Sequence, residues 1–207
     1  MDLGSIDLWM IGANKMSLIP VGLKIARSLL IPIIFAVLIS IVIAASALAE
    51  DWSSYKPAFA PGQGENDWWT QYPSQSPREG ASVEHPSWVT DALKDKPIII
   101  LDHSSNCKSC VVQKANMEKV MAEYGKDVAY YDINADGGDQ RAFEILGIYG
   151  LTGLYVPTTV FITLEKGSDG KVGIAWHSVE DAMSEEQVTN YVKDAIYYHK
   201  QNAANWS

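Results

Sequence analysis

The chain has 207 residues, enough for one well-packed domain with additional segments. Its formal net charge is -9, with 16 Lys and Arg against 25 Asp and Glu, and no run of basic residues offers several partners for phosphates. Nucleic-acid binding is therefore not expected. The chain has only two cysteines, three positions apart, whereas a domain held together by disulfides needs more cysteines at wider spacing.

Residues 28–49 form a run of 22 residues without a single charged side chain. A helix of that length spans about 33 Å, enough to cross a hydrocarbon core of about 30 Å. Lys24 and Arg27 precede the run, and Glu50 follows it. We therefore expect a transmembrane helix over 28–49. Because basic residues stay on the cytoplasmic side, we expect segment 1–27 in the cytoplasm and everything after Glu50 outside it.

A second interpretation of the same run is a cleaved signal peptide. Ala47-Leu48-Ala49 has the small-x-small form of a cleavage site, which would leave a secreted protein beginning after Ala49. The preceding segment of 27 residues is long for a signal peptide, and the run exceeds the usual apolar region of about 7–15 residues. These two features favour an uncleaved membrane anchor.

Residues 50–86 are rich in proline and glycine and show no lasting periodicity, which predicts an irregular linker. The segment nevertheless carries several large aromatic residues, which a simple spacer seldom does. We expect them either to dock on the following domain or to contact a partner or membrane interface. These aromatic residues are Trp52, Trp68, Trp69 and Tyr72.

Residues 87–207 have the regular patterns of an α/β domain. The first three predicted strands are joined through helices, which suggests parallel pairing, and the last two form a hairpin. The expected architecture is a mixed central β-sheet flanked by helices on both faces. The predicted elements are helix 87–94, strand 97–101, helix 107–124, strand 128–133, helix 139–146, strand 158–163, strand 171–176 and helix 184–201.

The candidate chemistry lies at Cys107 and Cys110, directly after a buried strand and at the start of a helix. The free N–H groups and the dipole of a helix N-terminus stabilise a thiolate, and Lys108 adds a positive charge. We therefore expect Cys107 to have a pKa below the ordinary value of about 8.5 and to act as the nucleophile. Cys110, one turn further on, is then the resolving cysteine.

Other uses of the cysteine pair are weaker interpretations. A zinc site needs two more ligands, and only His103 stands nearby, so no metal is expected. Covalent haem attachment would need histidine after Cys110, where Val111 stands. A purely structural disulfide would close a very small loop and remove little chain entropy. No bound cofactor is expected, because the electrons pass through the two cysteines themselves.

Residues 87–202 resemble the thioredoxin family. Besides the cysteine motif, Tyr149-Gly150-Leu151-Thr152-Gly153-Leu154 and the following Pro157-Thr158 are similar to the family's Tyr-Gly-x-x-Gly-x-Pro-Thr segment. The resemblance implies a thioredoxin-like fold with a cis Val156–Pro157 bond that faces the cysteines. It also implies that the Val156 backbone pairs with substrate peptides. A proline that simply begins a strand is the alternative.

Four departures separate this sequence from the family pattern. Asn106 stands where the family usually has tryptophan, Lys108-Ser109 stands where Gly-Pro is frequent, and Tyr155 and Val156 look like an insertion. The buried acid that accepts a proton in reducing thioredoxins falls at Leu101. Asp102 is next to it, on the other face of a regular strand, unless a bulge restores its position.

Together these features predict an extracytoplasmic thiol–disulfide oxidoreductase that acts on protein thiols and disulfides, with a membrane protein as redox partner. His103 either tunes the charge of Cys107 or is an ordinary loop residue. Two alternatives stay open: a non-catalytic binding or assembly module on a thioredoxin-like scaffold, and copper delivery through Cys107, Cys110 and His103.

Overall fold

The computed structural model describes residues 51–206. The predicted cytoplasmic segment 1–27 and the predicted membrane span 28–49 lie outside the described residues. Within 51–206, no helix combines the length and the apolar character that a membrane crossing requires.

The described chain forms a four-stranded sheet with helices on both faces. The strands and helices follow the predicted order, with ends that differ by a few residues. They are α1 (Ser87–Ala92), β1 (Ile98–His103), α2 (Lys108–Tyr124), β2 (Ala129–Asn134), α3 (Gln140–Tyr149), β3 (Thr158–Lys166), β4 (Val172–Glu180) and α4 (Glu185–Asn202), with 3-10 turns at Ala135–Gly137 and Ala203–Asn205.

The sheet has the strand order β2-β1-β3-β4. β1 and β2 are parallel, whereas β3 is antiparallel to β1, so the predicted parallel pairing of the first three strands is wrong for β3. After α3 the chain remains at the carboxyl end of β1, and β3 therefore begins there, with Thr158 opposite Asp102, and runs back. β3 and β4 form the predicted antiparallel hairpin.

Strand β1 lies at the centre of the core. Its alternate side chains bury against different layers, as its continuous apolar sequence predicts. Ile99 and Leu101 pack with α2 and α4 on one face, and Ile98 and Ile100 pack with α1 and α3 on the other. The end of this strand is thereby held in a fixed position for the cysteine motif that follows it.

The segment 51–86 is irregular, yet it is packed against the domain. Trp68, Trp69 and Tyr72 are buried, which confirms docking on the domain as the role of these three aromatic residues. The Trp69 backbone makes two hydrogen bonds with Trp176, of 2.8 and 2.9 Å, and so covers part of the outer edge of β4.

A buried carboxylate of α4 fastens the start of this segment. Asp194 is inaccessible to solvent and accepts hydrogen bonds from the Tyr55 hydroxyl at 2.6 Å, from the Ala58 N–H at 2.9 Å and from the Phe59 N–H at 2.8 Å. Both carboxyl oxygens of Asp194 therefore have hydrogen-bond partners, as buried polar groups require.

Candidate active site

Cys107 and Cys110 form a disulfide at the first turn of α2, with their Cα atoms 5.1 Å apart. Cys107 is the N-cap residue of this helix, and its sulfur accepts a hydrogen bond of 3.1 Å from the Cys110 N–H. Cys107 is half-buried, whereas Cys110 is only 2% exposed. Cys107 is therefore the more accessible of the two cysteines.

The groups around the Cys107 sulfur suit a negative charge. The Ser109 hydroxyl lies 3.4 Å from the sulfur and donates towards it, because a disulfide sulfur has no proton. Lys108 is the exposed first residue of α2, and the first turn of this helix carries no acidic residue. The helix N-terminus, the Cys110 N–H and the Ser109 hydroxyl would all stabilise a thiolate once the disulfide is reduced.

The loop before Cys107 is fastened to the loop after β2. The Ser105 N–H donates to the Asp136 carboxylate at 2.6 Å, and the Asn134 amide donates to the Ser105 hydroxyl at 3.1 Å. These bonds connect the two neighbouring strand ends and fix the entry into α2.

The Val156–Pro157 peptide bond is cis and lies beside the disulfide, which confirms the expectation from the thioredoxin resemblance. The Val156 carbonyl oxygen is 3.6 Å from the Cys107 sulfur. Thr158 donates from its hydroxyl to the Tyr155 carbonyl at 2.8 Å, and the Asp181 N–H donates to the Pro157 carbonyl at 2.9 Å. The backbone on both sides of the proline is thus held next to the Cys107 sulfur.

Glu180 holds the preceding part of this loop, a role that sequence reasoning missed. Its carboxylate accepts hydrogen bonds from the Leu151 N–H at 2.7 Å, the Thr152 N–H at 3.0 Å and the Thr152 hydroxyl at 2.5 Å. No local pattern signals this contact, because the partners stand 28 and 29 positions apart. Ser109 was also missed, although its place two residues after Cys107 is a usable signal.

His103 is directed to a carboxylate and not to the cysteine pair. Its Nε2 lies 2.6 Å from Asp132, whose second oxygen contacts Lys114. The structure thus brings together Cys107, Cys110 and Val156–Pro157 and places His103 in a separate polar cluster on β1, β2 and α2. Within residues 51–206, no group of three His, Cys, Asp or Glu side chains is arranged to hold a metal ion.

Asp102 stays on the face of β1 opposite Leu101. The strand pairs without a bulge through Leu101 and Asp102, so the bulge that would restore the family's acid position is not formed. Asp102 is fully buried, and neither carboxylate oxygen has a hydrogen-bond partner among the described residues. Burial, with a smaller contribution from the nearby charge of Asp139, raises the pKa of Asp102 from 3.8 to about 7.

Comparison with known proteins returns thioredoxins. Similar solved structures include chloroplastic thioredoxin z, with 18% identity, coverage of 53% of this chain and 88% of that chain, and a TM-score of 0.36. Mitochondrial thioredoxin 3 from Saccharomyces cerevisiae, in its oxidized form, has 19% identity, coverage of 52% and 86%, and a TM-score of 0.36. A thioredoxin from Malassezia sympodialis has 21% identity, coverage of 53% and 85%, and a TM-score of 0.38.

No protein-family model and no curated protein matches the chain. The assignment therefore depends on the strand order, the helix layers and the position of the cysteine pair, and not on these scores. On that basis the fold is thioredoxin-like, a mixed four-stranded sheet flanked by helices, with a Cys-x-x-Cys pair at disulfide distance.

Replacing Ser109 tests the hydroxyl contact with the sulfur. In the reduced full-length chain, Ser109→Ala should move the midpoint of the pH profile of Cys107 alkylation upward by roughly one pH unit, because a hydrogen bond to a charged group is worth about 1.5–3 kcal/mol. Iodoacetamide labelling followed by mass spectrometry measures this. Ser168→Ala is the matched control, since this exposed serine lies in the turn between β3 and β4. Identical profiles for wild type and Ser109→Ala would contradict the role.

Replacing Asp102 tests its buried protonated state. At pH values between 3.8, the ordinary pKa of aspartate, and about 7, the raised pKa, native Asp102 keeps a proton that the unfolded chain has lost. Its contribution to stability therefore falls as pH rises through this window and is constant above it. Asp102→Asn should remove this decline, so that the free energy of unfolding of the variant, relative to that of wild type, increases by roughly 4 kcal/mol between pH 4 and pH 8.

Urea unfolding of the full-length chain at several pH values gives this difference. Asp91→Asn is the control, because that carboxylate is 68% exposed in a surface ion pair. Its replacement should leave the pH dependence of the free energy of unfolding as it is in wild type. The difference between variant and wild type is informative because buried histidines affect both curves equally. A difference that does not change with pH would contradict the assignment.

Proposed function

We propose that this protein is a thiol–disulfide oxidoreductase that exchanges disulfides with protein thiols. The observation that carries the proposal is the unequal placement of the two sulfurs. Cys107 is accessible at the N-terminus of α2, and its sulfur accepts a hydrogen bond from the Cys110 N–H. Cys110 itself is buried. A nucleophile and a resolving cysteine need this arrangement.

The proposed reaction has two exchange steps. In the reduced protein, the Cys107 thiolate attacks one sulfur of a substrate disulfide, which forms a mixed disulfide and releases the other substrate sulfur as a thiolate that takes up a proton. Cys110 then loses its proton and attacks the Cys107 sulfur, which releases the second substrate thiol and forms the Cys107–Cys110 disulfide. Two electrons pass to the substrate, and the same steps in reverse oxidise a substrate dithiol.

Substrate positioning is assigned to the backbone at Val156. This residue is half-buried, and its carbonyl faces the Cys107 sulfur at 3.6 Å. An extended peptide that carries the substrate cysteine can pair with this backbone while its sulfur lies over Cys107. No bound cofactor takes part in these steps, and regeneration of the cysteine pair is assigned to a second redox protein, expected in the membrane.

The domain is proposed to act outside the cytoplasm. The support is the apolar run 28–49 with Lys24 and Arg27 before it, which favours export of everything after Glu50. The two cysteines make a direct test available, because they are the only thiols of the chain. In intact cells treated with a permeable reductant, a membrane-impermeant maleimide should label the full-length chain. Labelling that occurs only after lysis would place the domain in the cytoplasm instead.

Single-cysteine variants test the activity itself. The full-length wild type should accelerate the reduction of insulin disulfides by dithiothreitol, and Cys107→Ser should lower the rate to that of dithiothreitol alone. Cys110→Ser lacks the same disulfide, so a comparison of its unfolding with that of Cys107→Ser shows the loss of stability that the two variants share. Cys110→Ser should also lose turnover, because the mixed disulfide is no longer resolved.

A wild-type rate no higher than that of Cys107→Ser would overturn the proposal. It would leave the non-catalytic binding module as the better description of the domain.

A further inference from the structure

A surface groove begins at the reactive disulfide. It starts at Val156, whose carbonyl is 3.6 Å from the Cys107 sulfur, so a side chain bound there belongs to a residue close to the substrate cysteine. The groove has a volume of about 260 Å³ and is lined by Thr152, Tyr155, Val156, Glu180 and Asp181.

A second cavity of about 330 Å³, the inner cavity, lies next to this groove, and Thr152 and Glu180 line both. The inner cavity lies between the docked segment 51–86, which contributes Glu65, and the end of β4, which contributes Ser178. Ser178 is 2% exposed, and its hydroxyl has no hydrogen-bond partner among the described residues. A buried hydroxyl without a partner indicates a wall that is suited to a polar occupant.

The charge of the groove has one sign. The described residues that line it include two carboxylates, on Glu180 and Asp181, the inner cavity adds Glu65, and neither lining includes a lysine or arginine. Glu180 is held in place by the Leu151 and Thr152 N–H groups, so its charge is positioned before any ligand arrives. A fixed anionic wall next to a reaction centre favours a cationic group and opposes an anionic one.

The groove also offers apolar surface to a long side chain. Tyr155 is 60% exposed, although it is a large aromatic residue, and it lies beside Val156 in the wall of the groove. Lysine and arginine have an aliphatic stem that packs on such surface, and their charged head extends beyond it. The groove thus combines apolar surface at Tyr155 and Val156 with carboxylates at Glu180 and Asp181, and a basic side chain has a partner for each.

We propose that this groove is a specificity subsite for a basic side chain, lysine or arginine, next to the cysteine of the substrate polypeptide. The inference rests on the proposed thiol–disulfide exchange and adds the class of substrate that is preferred. The stem of the basic side chain packs on Tyr155 and Val156, and its head group donates to the carboxylates of Glu180 and Asp181. Substrates with acidic residues at the same place are repelled.

Short peptides with one cysteine test the subsite. Each peptide carries the same residue on both sides of its cysteine, either arginine, norleucine or glutamate, and its sulfur is linked to thionitrobenzoate. The reduced Cys107 thiolate attacks the peptide sulfur and releases coloured thionitrobenzoate. Cys110 then releases the peptide thiol. The rate constant with the full-length chain should be about tenfold higher for the arginine peptide than for the norleucine peptide, and lowest for the glutamate peptide.

Removal of charge from the groove should remove the preference. Asp181→Asn keeps a residue type that tolerates the positive φ of 97° at this position, and the arginine-to-norleucine ratio should fall severalfold. Glu186→Gln, an exposed residue at the start of α4 outside the lining of the groove, is the matched control and should keep the ratio. In about 1 M salt, where charges are screened within about 3 Å, the wild-type ratio should approach one.

Two kinds of failure are distinguishable. Equal rates for the three peptides, or a ratio that Asp181→Asn leaves unchanged, would overturn the basic subsite while exchange at Cys107 stands. If none of the peptides reacts with the wild type faster than with Cys107→Ser, the proposed function fails, and the subsite fails with it.

Discussion

The hydrogen bond from the Cys110 N–H to the Cys107 sulfur is the contact on which the site depends. It makes Cys107 the N-cap of α2 and turns the free N–H groups of the helix towards the sulfur. The bond forms because β1 ends at a fixed point of the core and the short loop after it is fastened to Asp136. The buried strand, the helix N-terminus and the loop at Val156–Pro157 therefore meet at one sulfur atom.

The segment before the domain takes part in this architecture. Its start is fastened by the buried carboxylate of Asp194, and Trp69 covers part of the edge of β4. The same segment brings Glu65 to the inner cavity, and β4 ends at Glu180, which holds the loop before the proline. Docking of 51–86 consequently stabilises the edge strand and also shapes the cavity next to the groove at the disulfide.

Local patterns in the sequence were sufficient for much of the fold. The helices and strands, the burial of β1, the helix start at Cys107 and the cis bond before Pro157 were all predicted, and the structure bears them out. Each depends on neighbours within a few positions, or on a short motif with a family resemblance. Such signals are present in a single sequence.

The remaining features depend on contacts between distant parts of the chain. The antiparallel direction of β3 follows from where the loop after α3 ends, and strand periodicity carries no information about direction. The support of the loop by Glu180 joins residues 28 and 29 positions apart. Asp102 was correctly placed on the other face of a regular strand, but its lack of a partner could be found only in three dimensions. His103 likewise bonds to Asp132, on the neighbouring strand.

The most direct test of the account is to trap the covalent intermediate. The reduced full-length Cys110→Ser chain is mixed with a protein that contains disulfides, and the product is analysed by non-reducing electrophoresis and mass spectrometry. The account predicts a stable mixed disulfide through Cys107 in this variant and almost none in Cys107→Ser, because Cys110 is buried. Equal or stronger trapping through Cys110 in the Cys107→Ser chain would contradict the assignment of Cys107 as the attacking sulfur.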